Sequence, residues 1–500
     1  MASKPSGASY ATTYSAEDSF SVAIPLRRGR TLLSCRSLLI LLFVLTLPLV
    51  NPWVRGDGVG YYTYVRAMLI EHNLRFEKDW LAANPTFKMA RVDSDGKIKA
   101  DQYTPTGHLD NHFSVGPAIL WAPLLAVAHV AVLALNRMGA HIPADGYSRP
   151  YLATMALATA IYGFLGIWLA FDLARKYFDE RWAFWGTLGI WFGSSLPVYM
   201  YFNPSWSHAH SAFAVSLFLW YWHRTRGQRT TQQWLLLGAC SGLMLDIYYP
   251  NAVLLLIPLL EALGAYRHAL RRGPDIAALR RLLSAHMSYS FALVVVFLPT
   301  LITRKIIYGS VFEFGYGEKW FWTSPALGQV LFSSDHGLLT WTPILIPAFV
   351  GLFLFRRTDR EMARLLWVVS LGFYYLIASY SLWDGISSFG NRFFVSLTPL
   401  FVLGLAATVA GFSRLFESAR HAFPVAGLAT ALFILWNVGL MFQWGAHIIP
   451  VRGPVVWGQV LHNQVAVVPG EAFREAKTYL VSRRSLMGHI EQEDIKQLQK

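Results

Sequence analysis

Five hundred residues, 54% of them hydrophobic and only 14% charged, with a mean hydropathy of +0.37, exclude an ordinary set of soluble domains. They define an all-α, polytopic membrane protein. The formal charge of +14 does not mark a nucleic-acid binder, because the basic residues sit in short loops between apolar runs, as the positive-inside rule requires. Cys35 and Cys240 lie at or within apolar runs and form neither a disulfide framework nor a metal spacing.

The chain opens with a Ser-, Ala- and Thr-rich stretch, residues 1–26, a composition that predicts disorder. Residues 1–34 are read as a cytoplasmic N-terminus. Arg27, Arg28, Arg30 and Arg36 flank the first apolar run, Leu38 to Trp53, which lacks a small-residue cleavage site and reads as an uncleaved helix. Gly56-Asp57-Gly58-Val59-Gly60-Tyr61-Tyr62 follows directly, placing Asp57 at the outer membrane face. A half-desolvated carboxylate there is a candidate base. The same residues also fit an interfacial turn with a solvated Asp. The flanking glycines allow close approach, and the tyrosines suit an interface.

The loop 54–113 is too long for a connector and closes with Asn111-His112-Phe113-Ser114-Val115-Gly116-Pro117. If the next apolar run, 115–135, crossed the membrane, Arg175 and Lys176 would fall on the wrong side. It is therefore expected to be a juxtamembrane or re-entrant helix, with Pro117 and Pro123 inside it and the first outer loop extending over 54–148. Crossings are then expected near 151–173, 183–201, 209–222, 232–249, 251–265, 286–304, 337–355, 363–380, 394–412 and 424–445. With the first helix, that makes about eleven in a domain spanning 35–446. The segment 447–500 becomes a short outer tail. No internal repeat of the kind that marks many transporters is evident.

The outer loops collect residues that membranes do not require. Besides Asp57 and His112, they hold Asn203-Pro204-Ser205-Trp206-Ser207-His208-Ala209-His210, and Tyr249 and Asn251 beyond Asp246. Arg304, Lys305, Glu313 and Glu318 follow, then Ser333-Ser334-Asp335-His336-Gly337, Trp383-Asp384-Gly385 and Ser387-Ser388-Phe389-Gly390-Asn391-Arg392. His208 and His210 with Asp57 could ligate a metal, but positions i and i+2 do not share a helix face. One histidine as a hydrogen-bond partner for substrate is the favoured reading. No cofactor is required by the sequence, and a divalent metal is the lesser reading. Arg392 fits either a snorkelling anchor or a bidentate phosphate ligand. Asp335-His336 could cap a helix. Asp246 is either functional or merely interfacial.

In order and sidedness these motifs resemble the GT-C superfamily of integral-membrane glycosyltransferases. The resemblance is to bacterial relatives of the protein O-mannosyltransferases, the lipid A aminoarabinose transferases and the rhizobial lipopolysaccharide transferases. It rests on Asp57 after the first helix, on Asn111 to Pro117, and on Trp206 to His210. It rests further on Leu331 to Pro343, Trp383-Asp384-Gly385 and Ser388 to Phe393, and covers most of residues 35–445. It implies a polyprenyl-phosphate-linked sugar donor and an extracytoplasmic acceptor hydroxyl on a glycan, lipid or protein. It implies inversion at the anomeric centre, with Asp57 as base. The location implied is a bacterial inner membrane, with the site on the outer side. Arg392, His208, His210, Lys305, Arg304, His112, Asp384, His336 and Tyr249 are the expected substrate- or phosphate-binding residues. Three features depart from the pattern. Gly58 stands where mannosyltransferases carry Glu, histidines stand where many relatives have a second-loop acid, and no His-Pro-Pro or Lys-Pro-Pro occurs. Two other readings are a lipid-linked sugar flippase and a non-catalytic polysaccharide assembly factor.

Overall fold

The computed structural model describes residues 34–271, 275–315, 317, 319–416 and 418–499. The expected disordered N-terminus, with Arg27, Arg28 and Arg30, and also Glu318, lie outside the described residues. Among those residues the regular structure is helical, and β pairing is confined to three isolated bridges, Val92–Ile98, Tyr103–Leu109 and Trp320–Tyr380.

Seven helices are long and apolar enough to cross a membrane: Gly116–Arg137, Arg149–Ala174, Tyr249–Arg271, Ile276–Tyr308, Arg360–Ser379, Arg392–Ser413 and His421–Gly445. Length and composition alone therefore do not reach the expected count of about eleven. Cys35–Leu49 and Leu345–Phe355 are apolar but shorter, and Glu180–Gly193 has 14 residues. Prolines interrupt the chain where these elements meet their neighbours: Pro48 in the 3-10 turn Leu47–Leu49, Pro197 before Val198–Phe202, and Pro343 before Leu345–Phe355. Each lacks the amide an uninterrupted helix needs.

The helix Gly116–Arg137 packs antiparallel on the first half of Arg149–Ala174. Tyr162 donates to the Leu120 carbonyl at 3.1 Å, Trp121 to Thr159 at 2.9 Å, and His129 meets Tyr151 at 2.6 Å. This pairing starts near Tyr162, well before the end of the longer helix at Ala174.

Several helices begin at one end of the bundle from side-chain caps. Asp179, Thr230, Asp275 and Asp359 each accept an amide of the first turn. Their basic neighbours join there: Arg226 pairs with Asp359 at 2.6 Å and Tyr177 donates to Asp359 at 2.9 Å. The centre is held by close backbone contact. A Cβ at Gly351 would fall 1.6 Å from the Gly404 carbonyl oxygen, a small-residue crossing of the kind that lets membrane helices approach.

At the other end, the helix Asp57–Arg66 is buried from Gly58 onward. The C-terminal segment folds back over it as Trp457–Ala466, Val468–Val481 and Arg483–Gln499. Arg55 pairs with Asp494 at 2.7 Å, Glu491 accepts from the Asn84 side chain and the Thr86 amide at 2.8 Å, and Tyr479 donates to the Leu49 carbonyl at 2.7 Å. Residues 483–499 thus pack against the first loop, while Trp457–Ala466 lies on Ala419–Gly445, Gln443 donating to Gln464 at 2.8 Å.

Candidate active site

Asp57 is the first residue of its helix, where the unsatisfied amides favour an anion. Gly56 before it has φ 53°, a conformation in which glycine alone is unstrained. Gly58 and Gly60 serve contacts within the protein: a Cβ would lie 1.9 Å from Ser205 Oγ at the first and 1.9 Å from the Phe113 ring at the second. The Asp57 helix is thereby clamped between the 203–207 turn and the end of the first loop. The same contact explains why Gly58 cannot be a glutamate here.

Asp57 Oδ2 receives Arg392 Nη1 at 2.7 Å, the aspartate side chain being 32% exposed and the arginine 11%. The Arg392 guanidinium lies 4.5 Å from the centre of the Trp206 ring. Trp206 is fixed in turn by donating to the Arg55 carbonyl at 3.0 Å. Arg392 Nε is buried beside Gly385 and has no hydrogen-bond partner. Tyr61 stands within the electrostatic reach of the pair. Burial, and then the Asp57 charge, raise its phenol above the usual range, keeping it neutral.

His208 belongs to this group. It is buried among Tyr199, Trp206 and Tyr248, with ring centroids 4.7, 6.1 and 5.8 Å away, and its Nδ1 has no partner. His210 does not join it. Its ring packs edge-on to Trp121 at 5.0 Å and against Tyr162 at 5.6 Å, between the outer helices. The two rings therefore diverge, and a shared metal with Asp57 does not fit them.

Arg304 does not join this group. It is fully buried, and its Nη2 donates to Tyr64 Oη at 2.5 Å and to the Asn111 and Phe113 carbonyls at 3.0 Å. It locks the end of the first loop. Tyr249 stacks edge-on to Phe314 at 4.9 Å and His112 lies against Phe113 at 4.2 Å, both in this same structural cluster. Lys305 donates to the Gly309 carbonyl at 2.7 Å at an exposed helix end. Asp246 is buried and accepts from Thr300 at 2.5 Å.

His336 and Asp384 do come together, His336 Nδ1 lying 3.1 Å from the Asp384 carbonyl. The Asp384 loop rests on Arg392, since a Cβ at Gly385 would be 3.3 Å from Arg392 Nε. Burial pushes the His336 imidazole down to about 4. Burial, and then Asp384, raise the Asp335 carboxyl. Asp335 does not cap a helix. Its own amide is capped by Ser333 Oγ at 2.9 Å, and the short helix Leu338–Trp341 has Gly337 at its N-cap. The sequence reading omitted Trp206 and Asp335 from the site residues. A tryptophan two positions before His208 was the available signal for the first.

Residues 152–302 match the family model described as dolichyl-phosphate-mannose-protein mannosyltransferase. That match supports the GT-C membrane glycosyltransferase resemblance. It includes His208, His210 and Tyr249 but neither Asp57 nor Arg392. Among solved structures, the apo crystal structure of ArnT from Cupriavidus metallidurans is similar at 14% sequence identity. The alignment covers 92% of this chain and 78% of that one, with a TM-score of 0.45. No curated protein matches the sequence.

Proposed function

We propose that this chain is a membrane glycosyltransferase that moves a sugar from a polyprenyl-phosphate carrier to an acceptor hydroxyl outside the cytoplasm, with inversion. The observation that carries this reading is the Asp57–Arg392 pair at 2.7 Å, a partly exposed carboxylate beside a guanidinium stacked on Trp206. The family match over 152–302 supports the glycosyl-transfer class.

The roles follow from the chemistry. A phosphate leaving group departs without a strong general acid, so catalysis needs a base on the acceptor and a cation on the developing phosphate charge. Asp57 takes the acceptor proton as the hydroxyl oxygen attacks the anomeric carbon, and the sugar–phosphate bond breaks on the opposite face. Arg392 receives the phosphate with its remaining donors, the bidentate task a guanidinium performs best. Trp206 holds that guanidinium flat, and His208 packs beside Trp206. Arg304 and His210 are left out of the binding set, because both are built into the packing.

The test is release of free polyprenyl phosphate by the purified protein in lipid, with a panel of polyprenyl-phosphate sugars. Release from one donor that Asp57→Asn removes supports the reading. Equal release by Asp57→Asn and wild type overturns the assignment of the base.

A further inference from the structure

We infer that the crevice between the helices Leu345–Phe355 and Arg360–Ser379 binds one anionic phospholipid, its phosphate held by Arg356, Arg360 and Arg364. The crevice has a volume of about 840 Å³, and its lining includes those three arginines with Phe353, Trp367 and Glu361. It lies at the end of the bundle where Asp359 caps its helix, away from Asp57. The inference stands apart from the glycosyl-transfer reading, since lipid binding is measured without a sugar.

The sequence builds this crevice from two short stretches. Arg360, Arg364 and Trp367 fall at positions i, i+4 and i+7 of one helix, which share a face. Phe353 and Arg356 stand three apart at the end of the preceding helix, and the Arg356 guanidinium lies over the Phe353 ring at 3.9 Å. Further along both helices Phe349 meets Trp367, with ring centroids 6.1 Å apart. Charges thus stand at the helix ends and aromatics deeper along them, the order of a headgroup and its acyl chains.

The three guanidiniums have no carboxylate of their own. Other basic residues at this end are paired: Arg175 with Asp172 at 3.4 Å, Arg226 with Asp359 at 2.6 Å and Arg229 with Glu261 at 2.5 Å. Asp359, next to Arg360 in sequence, is thereby taken, and Tyr177 donates to it as well. Among the described residues no carboxylate pairs with Arg356, Arg360 or Arg364, although Glu361 lines the same crevice. Three cations against one carboxylate leave two positive charges in excess. Membrane sidedness explains basic residues at this end, but not three unpaired ones around one aromatic floor. A phosphodiester offers guanidiniums bidentate oxygens, and basic pockets between membrane helices recognise anionic headgroups in this way. Acyl chains also cover Phe353, which is 48% exposed. A free phosphate meets the charges and leaves that apolar surface bare, so the occupant is a lipid.

The experiment measures lipid retention by the full-length protein in detergent micelles with native mass spectrometry, titrating phosphatidylglycerol, phosphatidylcholine and inorganic phosphate. One phosphatidylglycerol per chain is expected, held about tenfold or more tighter than phosphatidylcholine and not displaced by inorganic phosphate. Arg360→Gln and Arg364→Gln should each weaken it about fivefold. Arg280→Gln with Arg281→Gln, changes at the same end but outside the crevice, should leave it unchanged. Phosphatidylglycerol carrying a diazirine at its headgroup should cross-link the wild type within residues 353–367, a readout that needs no variant to fold. Equal retention of the two lipids, displacement by inorganic phosphate, equal weakening by the Arg280 and Arg281 changes, or cross-links confined to other segments would each overturn the inference. So would an undiminished preference for phosphatidylglycerol in a folded triple variant, Arg356→Gln with Arg360→Gln and Arg364→Gln.

Discussion

Asp57 Oδ2 and Arg392 Nη1 stand 2.7 Å apart, joining the first residue of the buried helix Asp57–Arg66 to the first residue of the turn Arg392–Leu397. That turn leads into the helix Thr398–Ser413, most of whose residues are buried. A rigid core thus presents the guanidinium to a carboxylate anchored on the first loop. Arg392→Lys keeps the charge but loses the flat contact with Trp206 and the bidentate geometry. It should lower transfer by about tenfold or more, with less loss than Arg392→Ala. Steady-state rates of polyprenyl phosphate release check the order.

Arg304 should behave differently, as a structural clamp. Arg304→Gln leaves the Asn111 and Phe113 carbonyls short of a donor. It should cost about 2 kcal/mol or more, seen as a lower melting temperature in detergent. Arg392→Gln should lower the melting temperature less while harming transfer more. If Arg304→Gln melted like wild type yet lost donor binding, the clamp assignment would be wrong.

Gly58 and Ser205 should be coupled. Gly58→Ala forces a Cβ to within 1.9 Å of Ser205 Oγ and should destabilise by ~1–3 kcal/mol. Ser205→Gly in the same protein should recover part of that loss. A double-mutant cycle of melting temperatures measures the coupling, and additive losses would contradict the close approach.

The docking of the C-terminal segment should fail in acid. Burial alone would push the Asp494 carboxyl up. The hydrogen bond with His447 at 2.8 Å and the Arg55 charge at 2.7 Å outweigh it, so its value is lowered. A group with a lowered folded-state value stabilises fully above its unfolded value, about 3.9, and that contribution is lost as pH falls through the folded-state value. The stability gap between wild type and Asp494→Asn should therefore be full at neutral pH and shrink below about pH 4. Limited proteolysis at the 482–483 junction across that range reads the detachment.

Much of the architecture was legible because apolar runs are long and charges are placed by membrane sidedness. The run 115–135 was read by charge parity as other than an ordinary crossing, and its pairing with the first half of Arg149–Ala174 is a packing fact that composition does not carry. The site was legible only in part. Loop membership brought Asp57, Arg392, His208, Asp384 and His336 forward, but it cannot distinguish a guanidinium paired with a carboxylate, as Arg392 is with Asp57 at 2.7 Å, from one such as Arg304, bonded to carbonyls at 3.0 Å. His210 was included because it lies next to His208 in sequence, while the turn of the helix carries it to Trp121. The docking of 483–499 on the first loop rests on single polar contacts, such as Arg55–Asp494 and Asn84–Glu491, which leave no periodic trace.

The most direct test measures sugar transfer by purified protein in lipid, comparing wild type with Asp57→Asn and Arg392→Ala on a panel of polyprenyl-phosphate donors. The expected result is release of polyprenyl phosphate by the wild type. Asp57→Asn should lose about 10²-fold or more, with folding and donor binding intact. A wild-type protein that binds the donor but releases nothing from any sugar of the panel would contradict the account.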